Sequence, residues 1–553
     1  MATTLPSYTG DATSLVPLSG TQLTDSLING SKWGTGTAGS GAALTYAFPT
    51  TVTAFDTTAG VPGNYGEMDP LELGFSAYLT GYSAFSSGQQ QAARTILQAY
   101  ANVANLSFTE IAADSVNAGT LRFANSAPPG LGETTYGVSW FAQDFAGAGD
   151  TWMNSAFSFP EGWAPGTQNF LTLLHETGHA IGLKHPHDPG TASDFGISTP
   201  VVLPFTGTDT LTEASTQTMV MAYNDIPGIS DLDGLSLQSD FAPTTPMRAD
   251  IAALQYLYGA NVSYNAGDTV YTYHEDSRYN ETLWDAGGND TIVATGTRDA
   301  VINLQSGSWS KLGTPITFST RNADLSVAAV QSQFTDPFTV YIYDTVTIEN
   351  AVGGAGNDTL TGNAQANQLQ GLSGNDTLDG GLGIDTARYS GNAGTYRLTF
   401  NGPELEVLDQ SGVDGTDKLS NVERLNFLDK KLAVDITDNA LETLQFIGVI
   451  APALRDNLSI RGAVLSYFDQ GHSMTNACQL ALDAGWIPSG KIDLIQAAYK
   501  NVVGTTVDPD QATITALAPY VDQLGSAGFL AAVANLSINV DLAGLQQNGM
   551  EYI

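Results

Sequence analysis

The chain has 553 residues, 42% of them hydrophobic and only 14% charged, with 56 acidic against 19 basic residues and a net charge of −37. That imbalance repels nucleic acid and anionic lipid and favours bound cations. The length suits three or four domains, and the lone cysteine, Cys478, excludes an intramolecular disulfide while leaving the redox compartment open.

The opening "MATTLPSYTGDATSLVPLSG" lacks a basic stretch followed by an apolar core, and no apolar run in the chain reaches the ~18 residues of a membrane span. The expectation is a soluble protein that, if exported, uses no cleaved N-terminal signal. Residues 1–20, rich in Ser, Thr and Gly, read as a loose extension or pro-segment. Over 21–260 the pattern is α+β. "ALTYAFPT", "SFTEIA" and "TLRFAN" alternate like strands, whereas "QQQAARTILQAYANVANL" sets Ala93, Ile96, Leu97 and Tyr100 at helical spacing.

Four of the six histidines fall within "LHETGHAIGLKHPH". Phe170, Leu173, Leu174, Ala180 and Ile181 form a helical stripe that ends near Gly182, so His175 and His179, four apart, project from one face beside Glu176. Gly182 and His185 extend this to H-E-x-x-H-x-x-G-x-x-H. A glycine able to adopt φ > 0 turns the chain and brings the third imidazole back toward the first two. Three neutral imidazoles on Zn²⁺ leave a position open for water. The metal lowers the pKa of that water towards ~7 and Glu176 is placed as general base, which points to peptide hydrolysis.

A composition change after "RADIAALQYLYG" sets a boundary near 260. From 353 the sequence repeats every nine residues, as "GGAGNDTLT", "GNAQANQLQ", "GLSGNDTLD" and "GGLGIDTAR", with an outlying copy, "DAGGNDTIV", at Asp285. This is the pattern of a parallel β-roll over 261–436: glycines turn the backbone, Asp offers a carboxylate, and the apolar residue packs inside. Hard oxygen ligands favour Ca²⁺. Loops eighteen residues apart share a side, which pairs the copies at 353 and 371 and those at 362 and 380. Over 437–553 the pattern is mainly helical, as in "KIDLIQAAYKNVVG" and "ATITALAPYVDQLGSAGFLAAVANL".

Taken together, these motifs resemble the serralysins, secreted bacterial metzincin zinc proteases with repeats-in-toxin (RTX) calcium-binding repeats. "SLINGSKWG", "ALTYAFPT", "LLHETGHAIGLKHPH", "RADIAALQYLYGAN", "GDTVY", "WDAGGNDT" and "TIENAVGGAGNDTLTGN" read as serralysin phrases in order over about residues 20–435. The resemblance implies zinc on His175, His179 and His185. In "STQTMVMAYND" it implies Met221 as the methionine turn beneath the metal and Tyr223 as a displaceable ligand that stabilises an oxyanion, with Met219 the alternative for the turn. His187 is an extra, expected at the surface. "GLGETTYGVSW" occupies the place of the family's substrate-binding edge strand.

For calcium, the family's geometry implies Gly354, Gly356 and Asp358 with Gly371, Ser373 and Asp376. It implies Gly380 and Asp385 on the opposite side, where Asn367 replaces Asp, and an upstream site of Asn265, Gly267, Thr269, Asp285, Gly287, Gly288, Asp290, Thr347 and Glu349. The expected activity is therefore an extracellular zinc endopeptidase acting on proteins or peptides, monomeric and exported by a type I secretion apparatus, with a possible surface or matrix tether in the helical tail. The competing reading is a catalytically impaired, surface-associated RTX binding protein.

Overall fold

The computed structural model describes residues 12–58, 61, 63–66, 76–113, 118–128, 130–132, 135–156, 159–186, 215–223, 237–321, 327–331, 338–536, 545 and 547–553. The chain forms two units, one of residues 1–269, 274–289 and 306–347, the other of 270–273, 290–305 and 348–553. The two units interleave over residues 270–347. The helices expected over 437–553 share their unit with the roll.

In the first unit, strands β1 (Thr13–Leu15) and β2 (Ser31–Trp33) pair antiparallel, so the end of the segment expected to be loose is ordered. The main sheet runs in the order β4 (Leu106–Glu110), β3 (Ala42–Ala47), β5 (Leu121–Ser126), β7 (Asp150–Asn154), β6 (Gly137–Ser139). Neighbours are parallel except β6, which lies antiparallel on β7 at the edge. Helix α1 (Ser87–Val103) starts on a capping box, in which the Ser86 side chain accepts from the Gln89 amide and Gln89 answers on the Ser86 amide. Helix α2 (Gln168–Ala180) is buried nearly all round, and α3 (Arg248–Tyr258) buries Ile251, Leu254 and Leu257.

The second unit stacks parallel rungs. Asn350 pairs with Gln368 and Gln368 with Thr386 on one face, Thr359 with Thr377 on the other, each a step of eighteen residues. The apolar position of each copy therefore falls in a column. Ile292, Ala351, Leu369, Ala387 and Leu425 line one face, and Ile302, Leu360, Leu378 and Leu419 the other, all buried. Burial of a leucine contributes ~1.5–3 kcal/mol, so an aligned column is a continuous driving force along the roll. Both columns extend beyond the recognisable repeats. An antiparallel hairpin, Tyr396–Asn401 with Glu404–Asp409, is inserted before the last rungs.

Helices Asn439–Ile450, Leu458–Asp469, Met474–Asp483, Lys491–Val503 and Gln511–Ala534 follow and share a core that buries Cys478. The last is two pieces joined at Gly525, whose φ of 72° breaks the ladder. Met550–Tyr552 adds antiparallel to Lys431–Ala433 at the edge of the roll's eight-stranded sheet. Among the described residues no helix is long and apolar enough to cross a membrane.

One buried ion pair locks the main sheet. Arg122 Nε lies 2.5 Å from Asp150 Oδ1, Tyr65 Oη donates to Asp150 Oδ2 at 2.6 Å, and Trp152 Nε1 donates to Tyr65 Oη at 2.9 Å. Breaking such a pair leaves an uncompensated buried charge. Arg122→Ala should cost about 3–5 kcal/mol of stability, read as a lower urea midpoint for the transition of the first unit; an unchanged midpoint would remove this account of the sheet.

Candidate active site and cation sites

Helix α2 sets His175 and His179 one turn apart, and the carbonyls at its C-terminal end are tied to other elements. Trp33 Nε1 donates to Ala180 O at 2.7 Å and Tyr258 Oη to Ile181 O at 2.8 Å. The Asn29 amide donates to Gly182 O at 3.2 Å and the Lys184 amide to Leu27 O at 2.7 Å. Helix ends leave carbonyls without intrahelical partners, and here buried donors on β2, α3 and the chain before β2 supply them. Gly182 has φ 109°, and a Cβ there would meet Ser31 O at 2.8 Å. Only glycine fits the turn, and the turn returns His185 to the helix face.

The three imidazoles converge as the spacing predicts. His175 Nε2 and His179 Nε2 lie 3.0 and 3.1 Å from His185 Nε2, and the ligand atoms of the trio all lie within 4.8 Å of one another. His175 Nδ1 is 2.8 Å from Val220 O and His179 Nδ1 is 2.7 Å from Leu183 O. A carbonyl only accepts, so each Nδ1 carries the proton and each Nε2 presents a lone pair. One proton on His185 could answer only one of them. Nitrogens ~2.0–2.1 Å from a tetrahedral Zn²⁺ stand roughly 3.3 Å apart, so the donor set and the two spacings to His185 fit that ion. Tyr223 Oη lies 2.8 Å from His185 Nε2. His187 lies outside the described residues.

Glu176 is buried, and its Oε2 has no hydrogen-bond partner. Burial pushes its carboxyl up to about 8, while a hydrogen bond from the Ser139 side chain pulls the other way. A Cβ on Gly137 would lie 2.8 Å from Glu176 Cγ and 3.1 Å from Met153 Sδ, so β6 can pass this close only with glycine there. The stretch expected to form the rim edge strand thus contains β6 and runs beside Glu176.

Met221 and Met219 are both fully buried. A Cβ on Gly178 would come 2.7 Å from Met221 Sδ, so Met221 underlies the helix between the two histidines of α2. The sequence reading missed what holds this turn: Asp250 Oδ2 accepts from the Val220 amide at 2.7 Å and the Met247 amide at 2.9 Å. Val220 in turn supplies the carbonyl that fixes His175. Burial pushes the Asp250 carboxyl up to about 7, with those amides opposing. An acidic residue on the buried face of "RADIAAL" was the available signal.

In the second unit the repeat aspartates form ladders. Asp358 Oδ1 accepts from the Ala300 amide at 2.7 Å, Asp376 Oδ1 from the Asp358 amide at 2.7 Å, and Asp385 Oδ1 from the Asn367 amide at 2.7 Å. Asp376 Oδ2 and Asp385 Oδ2 are buried without a partner. Burial pushes both carboxyls up to about 7 and raises that of Asp358. Buried carboxylates with an unused oxygen are what a hard cation neutralises, so Asp376 and Asp385 fit Ca²⁺, while both oxygens of Asp358 accept amides, from Ala300 and Gly354. The register puts the copies bearing Gly354, Gly356 and Gly371, Ser373 on neighbouring rungs of one face, and that bearing Gly380 on the other.

Of the upstream set, Asn265, Gly267, Thr269, Asp285, Gly287, Gly288 and Thr347 belong to the first unit, and Asp290 and Glu349 to the second. Within the first, Asp285 Oδ1 accepts from the Gly287 amide at 2.6 Å and Thr269 Oγ1 donates to Gly267 O at 2.8 Å. Within the second, Glu349 Oε2 accepts from the Asp290 amide at 2.7 Å.

Comparison with known proteins adds to this geometry. A family model described as the RTX calcium-binding nonapeptide repeat matches residues 352–387 in four copies. The chain is 32% identical over 317 residues to metalloprotease AprA of Pseudomonas entomophila, covering 54% of this chain and 57% of that protein. It is 30% identical over 365 residues to serralysin of Proteus mirabilis and 32% identical over 350 residues to serralysin G of Dickeya chrysanthemi, each covering 60% of this chain and 61% of the relative. The matches thus span less than two thirds of those relatives' lengths. The chain is a relative of the serralysin-type proteases and carries RTX calcium-binding repeats.

Proposed function

We propose that the chain is a secreted zinc endopeptidase that cleaves extracellular proteins and is kept folded by calcium. One observation carries the reading: imidazole lone pairs converge beside a buried glutamate with an unpartnered oxygen. His175, His179 and His185 would hold the zinc, with Tyr223 as a displaceable further ligand. When bound, the metal supplies a Lewis acid that polarises a peptide carbonyl and acidifies water.

The chain's own groups do the rest. Glu176 accepts a proton from the attacking water at Oε2 and delivers it to the nitrogen of the leaving amine. Its burial, with Oε2 unpartnered, leaves that oxygen available to hold the proton between those two transfers. The Tyr223 hydroxyl, on a side chain 67% exposed, donates to the oxyanion that develops on the carbonyl. The Gly137–Ser139 strand, paired on one side with Asp150–Asn154, offers main-chain groups to an extended peptide.

The remaining parts are read with that activity. Calcium on the roll couples folding to the ion, so the segment stays unfolded where Ca²⁺ is scarce and folds outside the cell, which suits passage through a type I secretion apparatus. The helices over 439–534 are proposed as the part that presents the export signal or tethers the protein to a surface.

A zinc chelator should abolish casein hydrolysis and added Zn²⁺ should restore it; cleavage insensitive to the chelator sinks the mechanism. Glu176→Gln should retain one zinc per chain while kcat/KM falls about 10²–10⁴-fold, the range of a lost general acid–base. His179→Ala should instead lose the metal. Tyr223→Phe should keep the zinc and lower kcat by about 10²–10³-fold with KM little changed, as expected for a donor used at the oxyanion. A wild-type chain that binds zinc yet cleaves nothing would favour the binding-protein alternative.

A further inference from the structure

The column of carbonyl and carboxylate oxygens in the roll does not stop where the nonapeptides stop. At Gly353, the position a Cβ would take is 2.3 Å from Asp358 Oδ2 and 2.8 Å from Gly371 O of the next rung. At Gly362 the corresponding atoms are Asn367 Oδ1 at 2.4 Å and Gly380 O at 2.1 Å. At Gly380 they are Asp385 Oδ2 at 2.6 Å and Asn421 O at 2.0 Å. One arrangement thus recurs three times: the repeat's own side-chain oxygen faces the carbonyl of the first residue of the following rung. In the third case that residue is an asparagine beyond the last nonapeptide, held at φ 50°.

The hydrogen bonds recur with it. Asn367 donates its amide to Asp385 Oδ1 at 2.7 Å across eighteen residues, and Asp385 donates its amide to Glu423 Oε2 at 2.8 Å across 38. Strand Arg424–Asn426 pairs parallel with Thr386–Arg388, Arg424 opposite Thr386, so Glu423 stands where the next repeat would place its aspartate. The longer interval reflects the hairpin inserted between the rungs, and it hides the repeat from a search at period nine. Asp385 is fully buried with Oδ2 unpartnered, and the charges acting on it, Glu423 and Asp379, are both anionic. Arg424, next to Glu423, directs its guanidinium to Asp435, Asp469 and Glu423 O.

We propose that the cation ladder runs one rung past the nonapeptides, with a Ca²⁺ held by the Asp385 carboxylate and the Asn421 carbonyl and countercharged by Glu423. The site rests on the calcium reading of the repeats but uses residues outside them. Two carboxylates and main-chain oxygens are the hard donor set that calcium takes.

Bound Ca²⁺ counted per full-length chain, by equilibrium dialysis followed by elemental analysis, tests it. Glu423→Gln should bind one ion fewer than wild type, and Asp385→Asn likewise. The second substitution turns its rung into one like the native Asn367 rung, so folding of the roll is retained. Asn421→Gly, which keeps both the carbonyl and the backbone conformation, should bind the wild-type number. Asp358→Asn reports the nonapeptide sites independently. If Glu423→Gln and Asp385→Asn bind as many ions as wild type while Asp358→Asn loses one, the extra rung is wrong and the repeat reading stands. A wild-type chain that binds no calcium overturns both.

Discussion

The site depends on two imidazole protons. His175 and His179 each give the Nδ1 hydrogen to a backbone carbonyl, of Val220 and Leu183, and this leaves both Nε2 lone pairs aimed at His185, where a single proton could answer only one of them. Lone pairs at that distance repel, and the surrounding structure holds them there. Asp250 anchors Val220, while Trp33 and Tyr258 anchor the carbonyls of Ala180 and Ile181 that precede the Gly182 turn. The fold thus spends its buried hydrogen-bond donors on fixing the tautomers and the turn, an arrangement compatible with a cation at the cluster.

A similar constraint acts in the roll, with charge in place of lone pairs. Asp376, Asp385 and Asp417 are buried in stacked rungs, and burial pushes all three carboxyls up to about 7. A sheet that stacks carboxylates in columns opposes its own formation at neutral pH unless a cation enters each column. The apolar columns of leucine, isoleucine and alanine supply the opposing drive. In the proposed calcium-bound roll the ions offset the first term and leave the second to drive folding, which is how folding would become conditional on calcium.

Much of this was legible in the sequence, because some constraints are local. H-E-x-x-H-x-x-G-x-x-H fixes its own geometry: a helix gives the four-residue spacing and the glycine gives the return, so the trio could be assembled without tertiary information. The nine-residue period likewise dictates the eighteen-residue register that Thr359 with Thr377 displays. Contacts distant in sequence could not be read this way. Trp33 reaches Ala180 across 147 residues, and Tyr258 reaches Ile181 across 77. Gly137 and Ser139 sit beside Glu176 only through sheet order. The pairing of Thr13–Leu15 with Ser31–Trp33 turns on register, which a stretch rich in Ser and Thr does not advertise. In Gln511–Ala534 the apolar spacing continues through Gly525 although the backbone does not.

The rungs beyond the nonapeptides join the roll to the helices within the second unit. Glu423 faces the ladder while its neighbour Arg424, almost fully buried, pairs with Asp435 at 2.7 Å and with Asp469 at the end of helix Leu458–Asp469. Strand Arg424–Asn426 pairs with Lys431–Ala433, which in turn pairs with Met550–Tyr552. The latter strand lies against the same helix, where a Cβ on Gly462 would meet Ile553 O at 2.0 Å and Arg461 donates to Glu551 O at 3.2 Å. A buried guanidinium between two carboxylates tolerates little displacement, since losing either partner leaves charge uncompensated in a low-dielectric setting. The turn that orders Glu423 therefore also orders Arg424, and the helix that receives Arg424 is the one packed on the edge strand. Charge neutralisation in the last rung and seating of the helices on the roll are two consequences of one short segment, 421–424.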